Sequence, residues 1–442
     1  MTDTALMPHL LPALRECVGP DGLREAAATA AYALDGVEPW AAVVPCDENE
    51  ASRALALASE HGLAVVPWGG GAHQSVGHLP TRYDLALDLR RMNQIRAYEP
   101  ADMTVTVHAG VTVAALQRVL AEADQFFPLD PPLPDRATIG GVVAANLNGP
   151  LRCRYGTVRD LVLGMRVAHA DGTITKAGAR VVKNATAYDV TKLHVGAHGT
   201  LGMVLEATLR VQPRPALERG WWLVGAPVEE CQTLATRLLG SHLAPNRLEV
   251  IVGDGRAICG SPEPGPALMI SFAGVQDAVE DQAAALDGLA RRAGFRIVAI
   301  ENGPAVWRML QDFPWGFTMH GTAFRIAWRA SVLPSDCAKT MQALAAGIPP
   351  TGMAMAATVA HGVLRGEICA ARPDDLVVRL REAREAVSGV GGFLVVTAAP
   401  APIRGAVTMW GPTPGDAALM RQLKAAFDPR GVLNPGRFID GL

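Results

Sequence analysis

The chain has 442 residues, about half hydrophobic (49%) and about a fifth charged (19%), with a formal net charge of −3. That length and apolar content support a globular protein of two or three domains, and the near-neutral balance without a dense Lys/Arg block excludes a nucleic-acid or membrane surface recruited by charge. No run of about 18 uncharged apolar residues occurs and the N-terminus lacks the pattern of a secretory signal, so a cytoplasmic chain with no integral membrane segment is expected.

In chain order, AAVVPC (41–46) reads as a strand, EASRALALASEHG (50–62) as an amphipathic helix and LAVVPW (63–68) as a second strand, together a βαβ unit. Strands follow at DLALDL (84–89) and MTVTVHAG (103–110), then a helix at 111–124 for which Thr112 is the expected N-cap. Residues 126–167 are dense in Pro and Gly and cannot form one regular element, yet they are too apolar for a linker. From about 220 to 412 apolar strands alternate with four helical patterns, VEECQTLATRLLGS, QDAVEDQAAALDGLARRAG, SDCAKTMQALAAG and PDDLVVRLREAREAVSG. This predicts a separate α+β domain, an antiparallel sheet with helices on one face. DAALMRQLKAAFDPRGVLNPGRF (416–438) predicts a helix and a turn-rich tail. The seven cysteines (Cys17, Cys46, Cys153, Cys231, Cys259, Cys337, Cys369) form no Cys-x-x-Cys pair. Neither a zinc site nor a self-contained iron–sulfur cluster has its ligand spacing, so reduced thiols and no metal centre are expected.

Two glycine clusters carry the chemistry. In VVPWGGGAHQSVGHLP (65–80), Gly69, Gly70 and Gly71 follow a strand and leave backbone amides open to phosphate oxygens. The Gly-x-Gly-x-x-Gly spacing is absent, which disfavours an ordinary NAD-type site. ATIGGVVAANLNG (137–149) adds Thr138, Gly140, Gly141, Ala144, Ala145 and Gly149, a second region of little side-chain bulk. Two such loops suit a ligand with a pyrophosphate and a flat ring system, whereas the glycine triplet alone would equally suit a tight turn.

The succession PWGGG, LPDRATIGGVVAANLNGPLRCRYGT, DLVLGMRVAHADG, VVKNATAYDVTKLHVGAHGTLGMV and FDPRGVLNPGRF resembles the vanillyl-alcohol-oxidase-type (PCMH-type) FAD flavoproteins. Within them it is most similar to the FAD-binding E subunit family of bacterial glycolate oxidase. The resemblance implies an α+β fold: a two-subdomain FAD-binding domain (36–215) and an α+β cap domain (216–415), with an N-terminal helical extension (1–35) and a C-terminal helix and tail (416–442) returning to the FAD domain. It implies that Trp68, Gly69, Gly70, Gly71, Ala72, His73, Gln74 and Ser75 hold the FAD pyrophosphate. Leu133, Pro134, Thr138, Gly140, Gly141, Ala144, Ala145 and Gly149 would line the flavin and its linker, with Tyr155, Gly156 and Val204 beside them and Lys183 and Asn184 closing the domain. FAD is expected to be non-covalent; His73, close behind the glycines, is the residue that would carry a tether to the 8α-methyl if one formed. His198 departs from the family pattern and reads as a packing variation.

For a 2-hydroxy acid the chemistry wants an Arg on the carboxylate and a His or Tyr for the hydroxyl proton. The cap offers His320, Arg325, His361, Arg365 and Trp410, and the tail Asn434 and Arg437. Each has a structural alternative: a His at a strand end is often a satisfied structural group, Arg325 alternates with Phe324 and Ile326 and could face solvent, Trp410 suits a core, and Asn434-Pro435-Gly436 suits a turn. The segment VAHGVLRGEICAARPDD lacks the histidine pair and Glu-His of the metal-assisted relatives. The function implied is therefore an electron-relaying subunit with non-covalent FAD, partnered by a D-type flavoprotein and an iron–sulfur subunit and peripheral to the inner membrane through them. The alternative is a stand-alone FAD-dependent oxidase or dehydrogenase of another alcohol or hydroxy acid.

Overall fold

The computed structural model describes residues 7–178, 189–315, 324–346 and 353–442. Strands β1 (Leu23–Arg24), β2 (Ala41–Val43), β3 (Val65–Trp68) and β4 (Leu85–Asp88) form a sheet of order β1-β2-β4-β3. β2, β4 and β3 run parallel and β1 antiparallel. The helix Glu48–Glu60 makes the crossover; the Asp47 carboxylate accepts from the Glu50 amide at 2.8 Å, and Ala51, Ala54, Leu55 and Ala58 form its buried face. The N-terminal segment is built into this unit: Leu10, Leu14 and Val18 are buried in the same core, and the Tyr32 hydroxyl donates to Asp88 at 2.8 Å.

A second, antiparallel sheet follows, from β5 (Ile95–Glu99), β6 (Thr104–His108), β8 (Val162–Ala168), β9 (Ile174–Gly178) and β10 (Met203–Arg210) in the order β5-β6-β10-β8-β9; the short β7 (Gln125–Phe126) and β11 (Gln212–Pro213) pair separately. Thr112 caps the helix Val113–Ala121, its hydroxyl accepting from the Ala115 amide at 3.2 Å. The Pro- and Gly-rich stretch is a chain of short elements, among them the helix Ile139–Ala145 and the turns Arg152–Tyr155 and Val158–Leu161, ending in β8.

The third sheet is antiparallel throughout, from β12 (Leu217–Val224), β13 (Arg247–Gly253), β14 (Ala267–Gly274), β15 (Arg296–Ala299), β16 (Phe324–Ser331), β17 (Met353–Thr358), β18 (Val363–Ala370) and β19 (Phe393–Ala398), in the order β15-β12-β14-β13-β17-β18-β16-β19. The helices Val228–Leu239, Gln276–Arg292, Cys337–Ala345 and Pro373–Ser388 bury its apolar side around Phe272, Ile326, Trp328, Leu364 and Val396. A further helix, Gly303–Asp312, packs Trp307 and Leu310 on the opposite side against Ala354, Ala356 and Cys369. Its Asn302-Gly303-Pro304 start reads as a turn in the sequence, which hides it. Strand alternation decides what the second side carries: with Ile326, Trp328 and Ala330 turned to the four helices, Arg329 faces the other way, and it stands directly opposite Arg365 in the β16–β18 register.

The tail after the helix Ala417–Phe427 returns to the first sheet. Asp428 is fully buried; it pairs with Lys424 at 2.6 Å and accepts from the amides of Val432 and Leu433 at 2.9 and 2.8 Å. Lys424 also donates to the carbonyls of Thr200 and Leu433. So fixed, the tail bonds to β3, Val65 donating to Val432 O at 2.7 Å and Asn434 donating to Val65 O at 2.9 Å. Asp428→Ala removes the counter-ion of a buried ammonium and leaves two amides unpartnered; it is expected to destabilise the tail by about 3 kcal/mol, read as a lower Tm together with new tryptic cleavage at Arg430.

Candidate functional site

The loop after β3, the segment 136–145, the segment 198–204 and the tail converge on one cleft of about 920 Å³, including its open mouth. Its floor has little side-chain bulk: Gly69, Gly70, Gly71, Gly140, Gly141, Ala144, Ala145, Gly199 and Gly202 all line it. Close approach requires glycine at Gly70, where a Cβ would stand 1.7 Å from the Arg136 carbonyl oxygen. Among the described residues, no amide from Gly69 to Ser75 donates to another protein group. A succession of free amides at one wall is an anion-binding surface.

The loop's conformation is held by side chains from elsewhere. The buried Arg437 guanidinium donates to Gln74 Oε1 and Gln74 O at 2.6 Å and to Val76 O at 3.0 Å. Gln74 Nε2 donates to Pro67 O at 2.9 Å, and Arg136 reaches Gly71 O at 3.3 Å. Two buried polar atoms in the cleft wall, His73 Nε2 and Asn434 Oδ1, have no partner. Burial, with Arg136 adding to it, pushes the His73 imidazole down to about 3, so it is neutral. A phosphate-bearing, flat-ringed cofactor fits this set: free amides and two guanidiniums for its charge, glycine and alanine surfaces for its rings.

A second cavity of about 850 Å³ adjoins the cleft, sharing Val76, Ala145 and His198 as lining. The side of the cap sheet away from the four helices forms one wall, with Arg329, Thr358, Arg365, Val395 and Thr397, and Phe313, Trp315, Trp410 and Arg152 complete it. Arg365 is neutralised by the buried Glu249, at 2.9 Å. The Arg329 guanidinium has no ion pair or hydrogen bond among the described residues. Arg152 makes no ion pair either; its Nε is buried and unpartnered, while the nearby Asp160 is engaged by Thr157. Burial pulls both guanidiniums below their usual range, and Arg152 adds to the effect at Arg329.

Of the residues expected at the cofactor, Trp68 to Gln74, Thr138, Gly140, Gly141, Ala144, Ala145 and Val204 line the cleft, as do Asn434 and Arg437 from the tail. Gly149 lines the second cavity. The structure does not bring Ser75, Leu133, Pro134, Tyr155 or Gly156 to the cleft wall. Ser75 Oγ donates to Thr397 O at 3.0 Å, Leu133 N to Asp312 at 2.7 Å, Pro134 O accepts from Ala114, and Tyr155 packs edge-on against Phe126. Gly156 closes a turn with φ of 82°.

Among the cap candidates, Trp410 lines the second cavity and donates from Nε1 to Arg437 O at 2.9 Å. Arg325 pairs with Glu367, away from the cavity wall. His361 ends a turn outside the lining, with Nδ1 buried and unpartnered. His320, Lys183 and Asn184 lie outside the described residues. Sequence reasoning missed Arg136, Arg152 and Arg329, and it set His198 aside. An Arg inside the apolar strand pattern FRIAWRAS was the available signal for Arg329.

Residues 39–178 match the FAD binding domain family, and residues 409–438 match the C-terminal domain of FAD linked oxidases. The chain is 32% identical to glycolate oxidase subunit GlcD of Bacillus subtilis, over 48% of this chain and 45% of that one. It is 29% identical to a mitochondrial D-lactate dehydrogenase [cytochrome] of Arabidopsis thaliana, over 63% of this chain and 50% of the relative. It thus spans about half the length of these curated relatives. An uncharacterised FAD-linked oxidoreductase of Mycobacterium tuberculosis is 26% identical over 90% of both chains. The structure of p-cresol methylhydroxylase superposes with a TM-score of 0.79 at 16% identity, covering 99% of this chain and 97% of that one, which shows a shared fold. Among the described residues no helix is long and apolar enough to cross a membrane.

The cofactor of this chain is therefore FAD. A Cβ at Gly141 meets only Thr138 Oγ1, at 3.4 Å, so Gly141→Val is expected to fold with a wild-type Tm in the absence of FAD and to weaken FAD binding at least about 10-fold. Gly70→Val, which collides with backbone, is expected to lower the Tm of the FAD-free protein as well; calorimetry and flavin fluorescence separate the two effects.

Proposed function

We propose that this chain, an FAD-binding protein related to the FAD-linked oxidoreductases, oxidises a small hydroxy acid held in the cavity beside Arg152 and Arg329. The observation that carries this reading is Arg329, a guanidinium without a counter-ion among the described residues, in a largely apolar cavity that opens on the cofactor cleft. An uncompensated buried cation costs several kcal/mol, so its retention calls for an anion that arrives with the substrate. A carboxylate answers that need, because a guanidinium donates to it through two parallel N–H groups. The curated relatives are named for glycolate and D-lactate, acids with an alcohol beside the carboxylate.

Bound FAD supplies the acceptor for the hydrogen and electron pair that leave the alcohol carbon. The protein's own contribution is positioning. The Gly69–Gln74 amides and Arg437 fix the cofactor's charged end, while Arg329 and Arg152 hold the substrate carboxylate. The walls of Phe313, Trp315, Val395 and Trp410 exclude water and strengthen those charge contacts. The neutral His73 imidazole, its Nε2 turned into the cleft wall without a partner, serves as a hydrogen-bonding group to the cofactor rather than a tether.

Anaerobic mixing of the FAD-loaded protein with glycolate, D-lactate, D-2-hydroxyglutarate and a panel of neutral alcohols tests this. Bleaching of the flavin by at least one acid and by none of the neutral alcohols is expected, with FAD released on acid precipitation. Arg329→Leu should keep its FAD and need about 10- to 100-fold more acid for half-maximal bleaching. A flavin that no compound reduces would overturn the reading and favour the electron-relay role beside a D-type flavoprotein and an iron–sulfur subunit. Colour retained on the precipitate would assign His73 as a covalent attachment site.

A further inference from the structure

Resting on that reading, we infer that His198 is the catalytic base, the group that takes the hydroxyl proton of the substrate. Among the described residues, His198 is the one titratable side chain that lines both the cofactor cleft and the second cavity. Whatever passes between a substrate in one and a flavin in the other does so beside its imidazole. The ring is oriented by packing: Trp410 stands edge-on at 4.9 Å and Phe438 lies at 5.5 Å. The backbone is pinned as well, His198 N donating to Ala144 O at 2.8 Å and its carbonyl accepting from Asn434 Nδ2 at 2.6 Å. Among the described residues neither ring nitrogen bonds to a protein group, which leaves a lone pair for a ligand.

Its charge environment suits the role. Burial is the main cause that holds the imidazole at about 3, with Arg437 from the tail and Arg329 from β16 both facing it and both opposing its protonation. It is therefore neutral across the physiological range, its ring lone pair free of a proton. A substrate carboxylate on Arg329 cancels one of the two opposing charges, so binding of the acid raises the basicity of the group that must then act on it. The step balances. The hydroxyl O–H breaks and its proton goes to the imidazole; the hydrogen leaves the carbon together with the bonding electron pair, as the hydride that bound FAD would accept; the C=O bond of the oxo acid forms.

The test uses FAD-loaded wild type, His198→Asn and His198→Gly. Asn and Gly both tolerate the left-handed backbone of this position, φ 52°. Expected are wild-type FAD content, an unchanged Kd for pyruvate read from the flavin absorbance, and flavin reduction by the reactive acid slowed about 100-fold or more. Added imidazole should restore part of the rate in His198→Gly only. A ¹⁵N-histidine titration, with His198 assigned by its absence from His198→Asn, should show the imidazole becoming more basic when pyruvate is bound. Reduction of His198→Asn at the wild-type rate would overturn the inference while leaving the proposed function standing. A rate loss matched by loss of FAD or pyruvate binding, without imidazole rescue, would also overturn it, making His198 a wall residue. Wild type that no acid reduces would overturn the proposed function and this inference together.

Discussion

The buried guanidinium of Arg437 is the interaction on which the rest of the site depends. It gives three hydrogen bonds to the loop after β3, two of them to backbone carbonyls, and so turns the loop's carbonyls inward to the protein and leaves its amides free. A charged group taken out of water is tolerable only when its donors are used, so the loop and the tail fix one another. That coupling explains why two stretches far apart in the sequence, 39–178 and 409–438, make one site. The Asp428 and Lys424 contacts upstream exist to deliver this residue to its place.

The cap works through the contrast between its arginines. In the β16–β18 pair Arg329 and Arg365 stand side by side, yet only Arg365 has a carboxylate, Glu249, built for it. Like charges opposite one another in a ladder destabilise it. One neutralised and one open guanidinium on a single face give the cavity a directed positive charge without the repulsion of two open ones at that pair. His198 is held neutral first by its burial, and this charge and that of Arg437 add to the effect.

What was legible in the sequence was local. The βαβ unit, the cap Thr112 and the four cap helices follow from periodicity and capping chemistry acting over a few residues. The glycine loops were legible because steric freedom is a property of the residue itself. The resemblance then supplied FAD. The functional charges were not legible, since whether Arg325 or Arg329 meets a ligand depends on strand register and on which carboxylate lies across the sheet. Glu367 takes the first and, among the described residues, no carboxylate takes the second. Leu133 and Tyr155 stand near the cofactor segments in the chain, but they are engaged elsewhere, by Asp312 and Phe126, and do not line the cleft wall.

The bond from Ser75 Oγ to Thr397 O ties the far end of the same loop to the cap edge strand β19. Held by the tail at Gln74 and by the cap at Ser75, the loop has already surrendered its conformational freedom before the cofactor arrives. Little ordering entropy is left to oppose association. The same double restraint makes departure slow, since release of the cofactor requires the cap and tail to loosen their hold together. The protein is thereby built for long residence of a single cofactor molecule through many turnovers rather than for its exchange as a diffusible co-substrate.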